Sequence, residues 1–289
     1  MGKVFVDRKI AVVIMLVFFS GIIYSQSSGY IDSNYTGAGI QEINGSDSGP
    51  FELSWLKESL ITVTGAALLI PGLLIKTGEE DYTAGVLDKN KINPFDRWAA
   101  RPYSKPLDIT GSILVGASVL TPAVLLATDK NQWFNIGVMY FESSLLAFST
   151  ADLLKEVIQR KRPYMYFSGY PEEEVKAGDY CRSFPSRHTA MAFNGAVFTS
   201  YVFSTYFPES KYKVPVIAGS FTLAGATGLA RILSGNHFIS DVLAGAAIGS
   251  ASGFLVPFFH RVNSELENSG NGNMDISLLP AGLALNFRY

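Results

Sequence analysis

RILSGNHFISD, residues 231–241, sets an arginine, a histidine and an aspartate six and four positions apart inside a long apolar region. Gly235-Asn236 reads as a break between two helices, the first ending near Arg231 and the second beginning after His237. A spacing of four puts His237 and Asp241 on one helical face. A lone pair of this kind is ordinarily a structural hydrogen bond, so its meaning depends on what the rest of the chain brings beside it.

Working outward, uncharged or nearly uncharged segments recur at residues 59–75, 109–128, 133–151, 190–208, 214–230 and 242–259. All six suit helices, several approach the ~20 residues needed to cross a bilayer, and their small residues allow close helix contact. The same composition suits helices buried in a soluble bundle. Glu142 and Pro71-Gly72 weaken the membrane reading locally. The expected fold is all-α: a bundle of about six core helices, membrane-embedded, with a short C-terminal tail or hairpin.

Composition agrees. The chain has 289 residues, 48% of them hydrophobic and 17% charged, which is enough for one large domain. A net charge of -2 gives no reason to expect nucleic acid. The single cysteine, Cys181, excludes an intrachain disulfide and a thiolate metal site. Residues 1–25 read as a signal peptide or signal anchor, with Lys3, Arg8 and Lys9 ahead of an uncharged stretch. A polar segment, 26–58, precedes the helical domain, 59–260, and a linker and tail, 261–289, follow it. In the tail, residues 280–282 offer a turn between two short strands, and a loosely ordered tail is the alternative.

Polar residues gather at the segment ends. Lys155 and Arg162 lie seven residues apart, two helical turns, and Pro163 then discourages helix continuation. Before the fourth segment, Pro185 and Ser186 supply helix-start chemistry and place His188 beside first-turn N–H groups that favour an anion. If segments three to six alternate in direction, these pieces, Arg231 and the His237/Asp241 pair all fall at one end of the bundle.

This constellation resembles the three-part signature of the type 2 phosphatidic acid phosphatase (PAP2) superfamily, which includes bacterial acid phosphatases and vanadium haloperoxidases. The resemblance runs from about Ile109 to Phe259 and rests on Lys155, Arg162 and Pro163, then Pro185, Ser186, Arg187 and His188, then Ala230, Arg231, His237 and Asp241. Arg187 stands where the pattern has glycine, and Ala230 where it has serine. Three spaced motifs in order are far more specific than any one alone.

The resemblance implies a metal-independent phosphoric ester hydrolase without a cofactor. His237 would attack phosphorus and form a phosphohistidine, Asp241 would hold its other ring nitrogen, and His188 would serve the leaving group and water. Lys155, Arg162, Ser186, Arg187 and Arg231 would bind the phosphate. The expected substrate is a lipid phosphomonoester or diphosphate. Alternatives are a soluble periplasmic acid phosphatase and a vanadium haloperoxidase. The expected location is the bacterial cell envelope, in the inner membrane with a periplasm-facing site, or soluble in the periplasm.

Some residues keep open readings. Arg160 and Lys161 either contact phospholipid headgroups or end a helix in solvent. Tyr164, Tyr166, Phe167 and Tyr170 either line the pocket mouth or pack their loop down. Glu172 to Glu174 read as a solvated acidic turn, Cys181 as a passive residue, and His260 as interfacial or structural.

Overall fold

The computed structural model describes residues 49–74 and 85–262, together with the backbone of 275–279 and 282–286. The expected signal segment, 1–25, and most of the polar segment after it lie outside these residues. Six long helices follow in order: α1 (Trp55–Leu74), α2 (Lys105–Val119), α3 (Trp133–Ile158), α4 (Arg187–Tyr206), α5 (Lys213–Leu233) and α6 (Ile239–His260). Each overlaps one of the six apolar segments. A 3-10 stretch, Thr121–Ala127, prolongs α2. The tail forms an antiparallel hairpin of β1 (Asp275–Leu279) and β2 (Gly282–Asn286), with Leu279 opposite Gly282.

The helix limits follow from local chemistry. Ser186 caps α4, its hydroxyl accepting from the Thr189 N–H. At the other end of α3, Gln159 takes the left-handed conformation, φ 47°, which turns the chain out of the helix. Pro71 does not interrupt α1, which runs through it to Leu74.

Helix α4 occupies the centre, in contact with α2, α3, α5 and α6, while α1 leans on α3. Its buried face carries Ala190, Ala192, Ala196, Phe198, Val202 and Phe203. Against it α6 presents Gly245, Gly249 and Gly253, one per turn. A Cβ at Gly249 would lie 2.0 Å from the Ala190 carbonyl oxygen, so these two backbones meet at a distance only glycine permits.

The exterior is unusually apolar. Among the described residues, three stretches are long and apolar enough to cross a membrane: Lys105–Ala127, Lys213–Leu233 and Ile239–His260. Most of their residues are not buried, and Ile113, Leu120, Val214 and Leu243 are exposed, an apolar exterior that water would not favour.

At the far end from the histidine motifs, His260 is buried and its Nε2 lies 2.9 Å from Glu58 and 3.6 Å from Glu142, while its Nδ1 contacts the Val256 carbonyl at 2.7 Å. Glu142, awkward in an apolar segment, therefore belongs to a closed polar cluster that ties α1, α3 and α6 together. The Phe51–Arg261 bridge and the Glu52 N–H donating to the His260 carbonyl seal the same end.

Candidate active site

The opposite end of the bundle opens into a polar cavity of about 210 Å³, lined by Lys155 from α3, Arg162, Asp179 and Arg182 from the loop after it, Arg187 and His188 from α4, Arg231 from α5, and His237. All three motif regions therefore meet at one place, as alternating helix directions require. The cavity walls also include Asp108, Ser112, Glu174 and Asn236.

The turn between α5 and α6 is fixed from several sides. Gly235 has φ 73°, and a Cβ there would strike the carbonyls of Arg101 and Pro102 at 2.6 and 2.5 Å. Its own carbonyl accepts from the Tyr164 N–H, and the His237 N–H donates to the Arg231 carbonyl. His237 is thus buried between the ends of two helices. Its Nε2 points toward the cavity, 3.5 Å from Arg162 Nη1, whereas Nδ1 turns to Asp241.

Nδ1 and the nearer Asp241 oxygen are 3.7 Å apart, beyond hydrogen-bond length, and Nδ1 has no hydrogen-bond partner among the described residues. That oxygen, Oδ2, instead accepts from the Phe238 N–H at 2.8 Å and the Ser183 hydroxyl at 2.5 Å. The expected Asp241–His237 contact is therefore poised and short of closed. A shift of well under 1 Å would close it.

The cations are held in a fan by carboxylates. Arg162 pairs with Asp179 at 2.8 Å and also donates to Asn236. Arg231 pairs with Asp108 at 2.7 Å. Arg187 and Arg182 share Asp152, and Arg182 also meets Glu156. Lys155 donates to the Arg182 carbonyl at 2.5 Å. Planar guanidiniums fixed in this way are preorganised for phosphoryl oxygens.

Burial and this crowd of cations act together on the titrating groups. Burial, then Arg231, Arg187, Arg162 and Lys155, push the His188 imidazole down to about 3. Burial followed by Lys155 and Arg162 holds His237 well below the usual imidazole range. Burial, with Arg162 and Arg187 beside it, lowers the Lys155 ammonium as well. Both imidazoles are accordingly neutral at pH 7 in the ligand-free site. A doubly charged anion bound among the same groups would offset part of this positive field.

Ser186 is not among the residues lining the cavity. It is fully buried and its hydroxyl accepts from the Thr189 N–H and hydroxyl, which fixes the first turn of α4 and so the direction of His188. Arg160 bridges Asp96 and Asp241 at 2.7 and 2.5 Å, which makes it more than a solvated helix end. Tyr164 is fully buried and Tyr166 packs edge-on against Phe238 at 6.2 Å, so these aromatics hold their loop down. Glu174 is drawn out of the acidic turn to the cavity wall, where it accepts from the Tyr103 hydroxyl. Cys181 is buried, its thiol donating to the Gly178 carbonyl.

Asp108, Asp152, Asp179 and Arg182 belong to the site without any sequence signal that singles them out, and they acquire meaning only from the charges they face; Asn236, read from sequence only as part of a helix break, also donates to and accepts from the site's side chains.

Residues 136–265 match the PAP2 superfamily model. The matched stretch takes in most of α3, all of α4 to α6 and both histidines of the cavity. Among curated relatives, a lipid A 1-phosphatase of Rhizobium etli is 36% identical over 119 residues, 39% of this chain and 46% of that protein. A lipid A 1-phosphatase of Porphyromonas gingivalis is 38% identical over 78 residues, 27% of this chain and 16% of that protein. The chain thus spans less than half the length of these relatives. Among solved structures, LpxE of Aquifex aeolicus matches at 23% identity and a TM-score of 0.39, over 55% of this chain and 90% of that one. A transmembrane PAP2-type phosphatidylglycerolphosphate phosphatase of Bacillus subtilis matches at 19% identity and 0.36, over 74% and 98%.

Proposed function

We propose that the protein is a membrane-bound phosphatase that removes phosphate from a lipid phosphomonoester or diphosphate through a phosphohistidine. The observation that carries this reading is one small cavity in which two neutral imidazoles face five basic side chains, at the end of a bundle whose outer surface is apolar. The lipid A 1-phosphatase relatives support the lipid class of substrate.

In this mechanism Lys155, Arg162, Arg187 and Arg231 bind the non-bridging oxygens and offset the charge of the transition state. Arg182 stands beside them at the cavity wall. With Nδ1 protonated and turned to Asp241, Nε2 of His237 holds the lone pair that attacks phosphorus. A P–N bond forms, the P–O bond to the lipid breaks, and Asp241 stabilises the imidazolium. The bound dianion raises the proton affinity of His188, which then protonates the departing oxygen. Water, deprotonated by His188, next attacks the phosphohistidine, releasing inorganic phosphate and neutral His237. Ser186 serves by capping the helix that carries His188. In this reading the bundle lies in a bilayer of the cell envelope with its cavity toward the periplasm; the outward apolar stretches support the bilayer part.

The test is phosphate release from lipid monophosphates, lipid diphosphates and p-nitrophenyl phosphate in detergent micelles. Wild-type protein should prefer the lipids, and His237→Ala should lose several orders of magnitude in kcat with its helical content and unfolding midpoint retained. Near-wild-type turnover by that variant would end the phosphohistidine reading. A preference for the soluble ester would end the lipid one.

A further inference from the structure

A basic side chain at a variable position of the first motif, between Lys155 and Arg162, reaches the carboxylate that faces His237. Arg160 leaves the left-handed end of α3, and its carbonyl accepts from the Ser183 N–H. One guanidinium nitrogen, Nη1, donates to Asp241 Oδ1 at 2.5 Å and to the Ser240 hydroxyl at 2.7 Å. The other, Nη2, donates to Asp96 Oδ2 at 2.7 Å. The guanidinium also lies 4.1 Å over the Phe238 ring. It does not line the cavity.

Asp96 sits in the short helical turn Pro94–Arg97, between α1 and α2 and far from every motif in sequence. It is fully buried, and its own contacts are all at the start of α6 or on its own turn: Oδ1 accepts from the Ser240 N–H at 2.9 Å, and Oδ2 from the Ser240 hydroxyl at 2.7 Å and Asn93 at 2.8 Å. A fully buried carboxylate anchored by these hydrogen bonds gives Arg160 a fixed counter-ion. Asp96, Arg160, Asp241 and His237 then form one chain of alternating charge leading to the imidazole.

We propose that Arg160 and Asp96 are a positioning pair that sets the orientation of the Asp241 carboxylate, so that Oδ2 stays directed at His237 Nδ1 while the imidazolium forms. Oδ2 already has two donors and stands 3.7 Å from the ring, so a small rotation of the carboxylate decides whether the contact closes. Arg160 holds Oδ1 and removes that rotation. Without it, the carboxylate turns toward its remaining donors, and the positive charge on His237 goes uncompensated. Lys161, next in the chain, cannot substitute because its ammonium lies 4.3 Å over the Tyr180 ring. The inference rests on the phosphohistidine reading above.

The experiment is steady-state kinetics of Arg160→Gln, Arg160→Lys, Asp96→Asn and Arg160→Gln/Asp96→Asn on the best lipid phosphate, with inorganic phosphate inhibition measured alongside. Arg160→Gln should lower kcat by about 10- to 100-fold, as loss of a supporting hydrogen-bond partner does elsewhere, with KM and phosphate inhibition within about threefold of wild type. Arg160→Lys should recover part of the loss. Asp96→Asn should act in the same direction but less, and the double variant should be no worse than Arg160→Gln, because both changes break one chain. A purely structural role would reduce the fraction of active enzyme equally in all variants, without rescue by lysine and with additive effects; that result overturns the proposal. So does a rise in KM or weaker phosphate inhibition at unchanged kcat, which would make Arg160 a substrate ligand. If Arg160→Gln does not fold, Asp96→Asn and Arg160→Lys carry the same comparison. An inactive wild type refutes the phosphatase reading, whereas an active wild type with unaltered variants refutes the positioning pair alone.

Discussion

The buried His237 and the partly buried His188 make the site a source of acid instability whose size follows from the unfolded chain. In the folded protein His188 is pushed down to about 3 and His237 lies well below the ordinary imidazole range, each through burial and neighbouring cations. In the unfolded chain both titrate near ~6.5. Between these limits the unfolded state binds more protons, so stability rises with pH and is lost as pH falls below about 7. At pH 5.5, one unit below the unfolded value, each histidine costs about 1.36 × log(11), or roughly 1.4 kcal/mol, and the pair about 3 kcal/mol. This figure does not depend on the depth of the folded-state shift, provided both groups stay neutral at pH 5.5. The perturbation is His188→Gln together with His237→Gln, and the assay is denaturant unfolding in detergent micelles at pH 8 and pH 5.5. Every other titrating group is common to both proteins, so the difference of differences isolates the two histidines. Wild type should lose about 3 kcal/mol more than the variant on acidification, and saturating inorganic phosphate should shrink that gap. Parallel losses, within about 0.5 kcal/mol, would refute the argument that cations and burial keep both rings neutral.

Other outcomes follow from the same geometry. Phosphate or vanadate binding at pH 7 should take up protons, because an anion among the cations restores proton affinity to His188 and Lys155; calorimetry in buffers of different ionisation enthalpy measures it, and zero uptake contradicts the field described. EDTA should leave turnover intact while vanadate inhibits, since the cavity groups phosphate with basic side chains; restoration of a chelated enzyme by one divalent ion would point elsewhere. Gly249→Ala should destabilise the bundle by at least about 1–3 kcal/mol, read as a lower unfolding midpoint, because its Cβ would lie 2.0 Å from a backbone carbonyl on α4. A periplasm-facing cavity predicts that Ser168→Cys, at an exposed loop position, is labelled by a membrane-impermeant thiol reagent in cells opened only at the outer membrane, while buried Cys181 stays silent. Labelling only after the inner membrane is broken would place the cavity on the cytoplasmic side.

How much of this was legible in the sequence varies from element to element. The six helices were, because runs of apolar residues ended by charges, prolines and glycines have one economical backbone solution. So was the gathering of Lys155, Arg162, His188, Arg231 and His237, because helices that alternate in direction bring alternate ends together. The spacing of His237 and Asp241 suggested one helical face, but His237 stands ahead of the Phe238 N-cap, so the two face each other across the start of α6 and not along it.

What the tertiary structure alone decided are the partners that lie far apart along the chain. Asp179 on Arg162, Asp108 on Arg231 and Asp152 on Arg187 carry no motif, and an isolated aspartate has no preferred meaning until a cation is folded against it. The same holds for Arg160, which in sequence is one basic residue among several at a helix end and in space is the bridge from Asp96 to Asp241. His260 had no neighbour of consequence in sequence and has two carboxylates in the fold. Periodicity records which way a side chain faces on its own helix, and that is local. Which charge it meets depends on loop paths and helix packing, where single hydrogen bonds at 2.5–3 Å are set by the whole assembly.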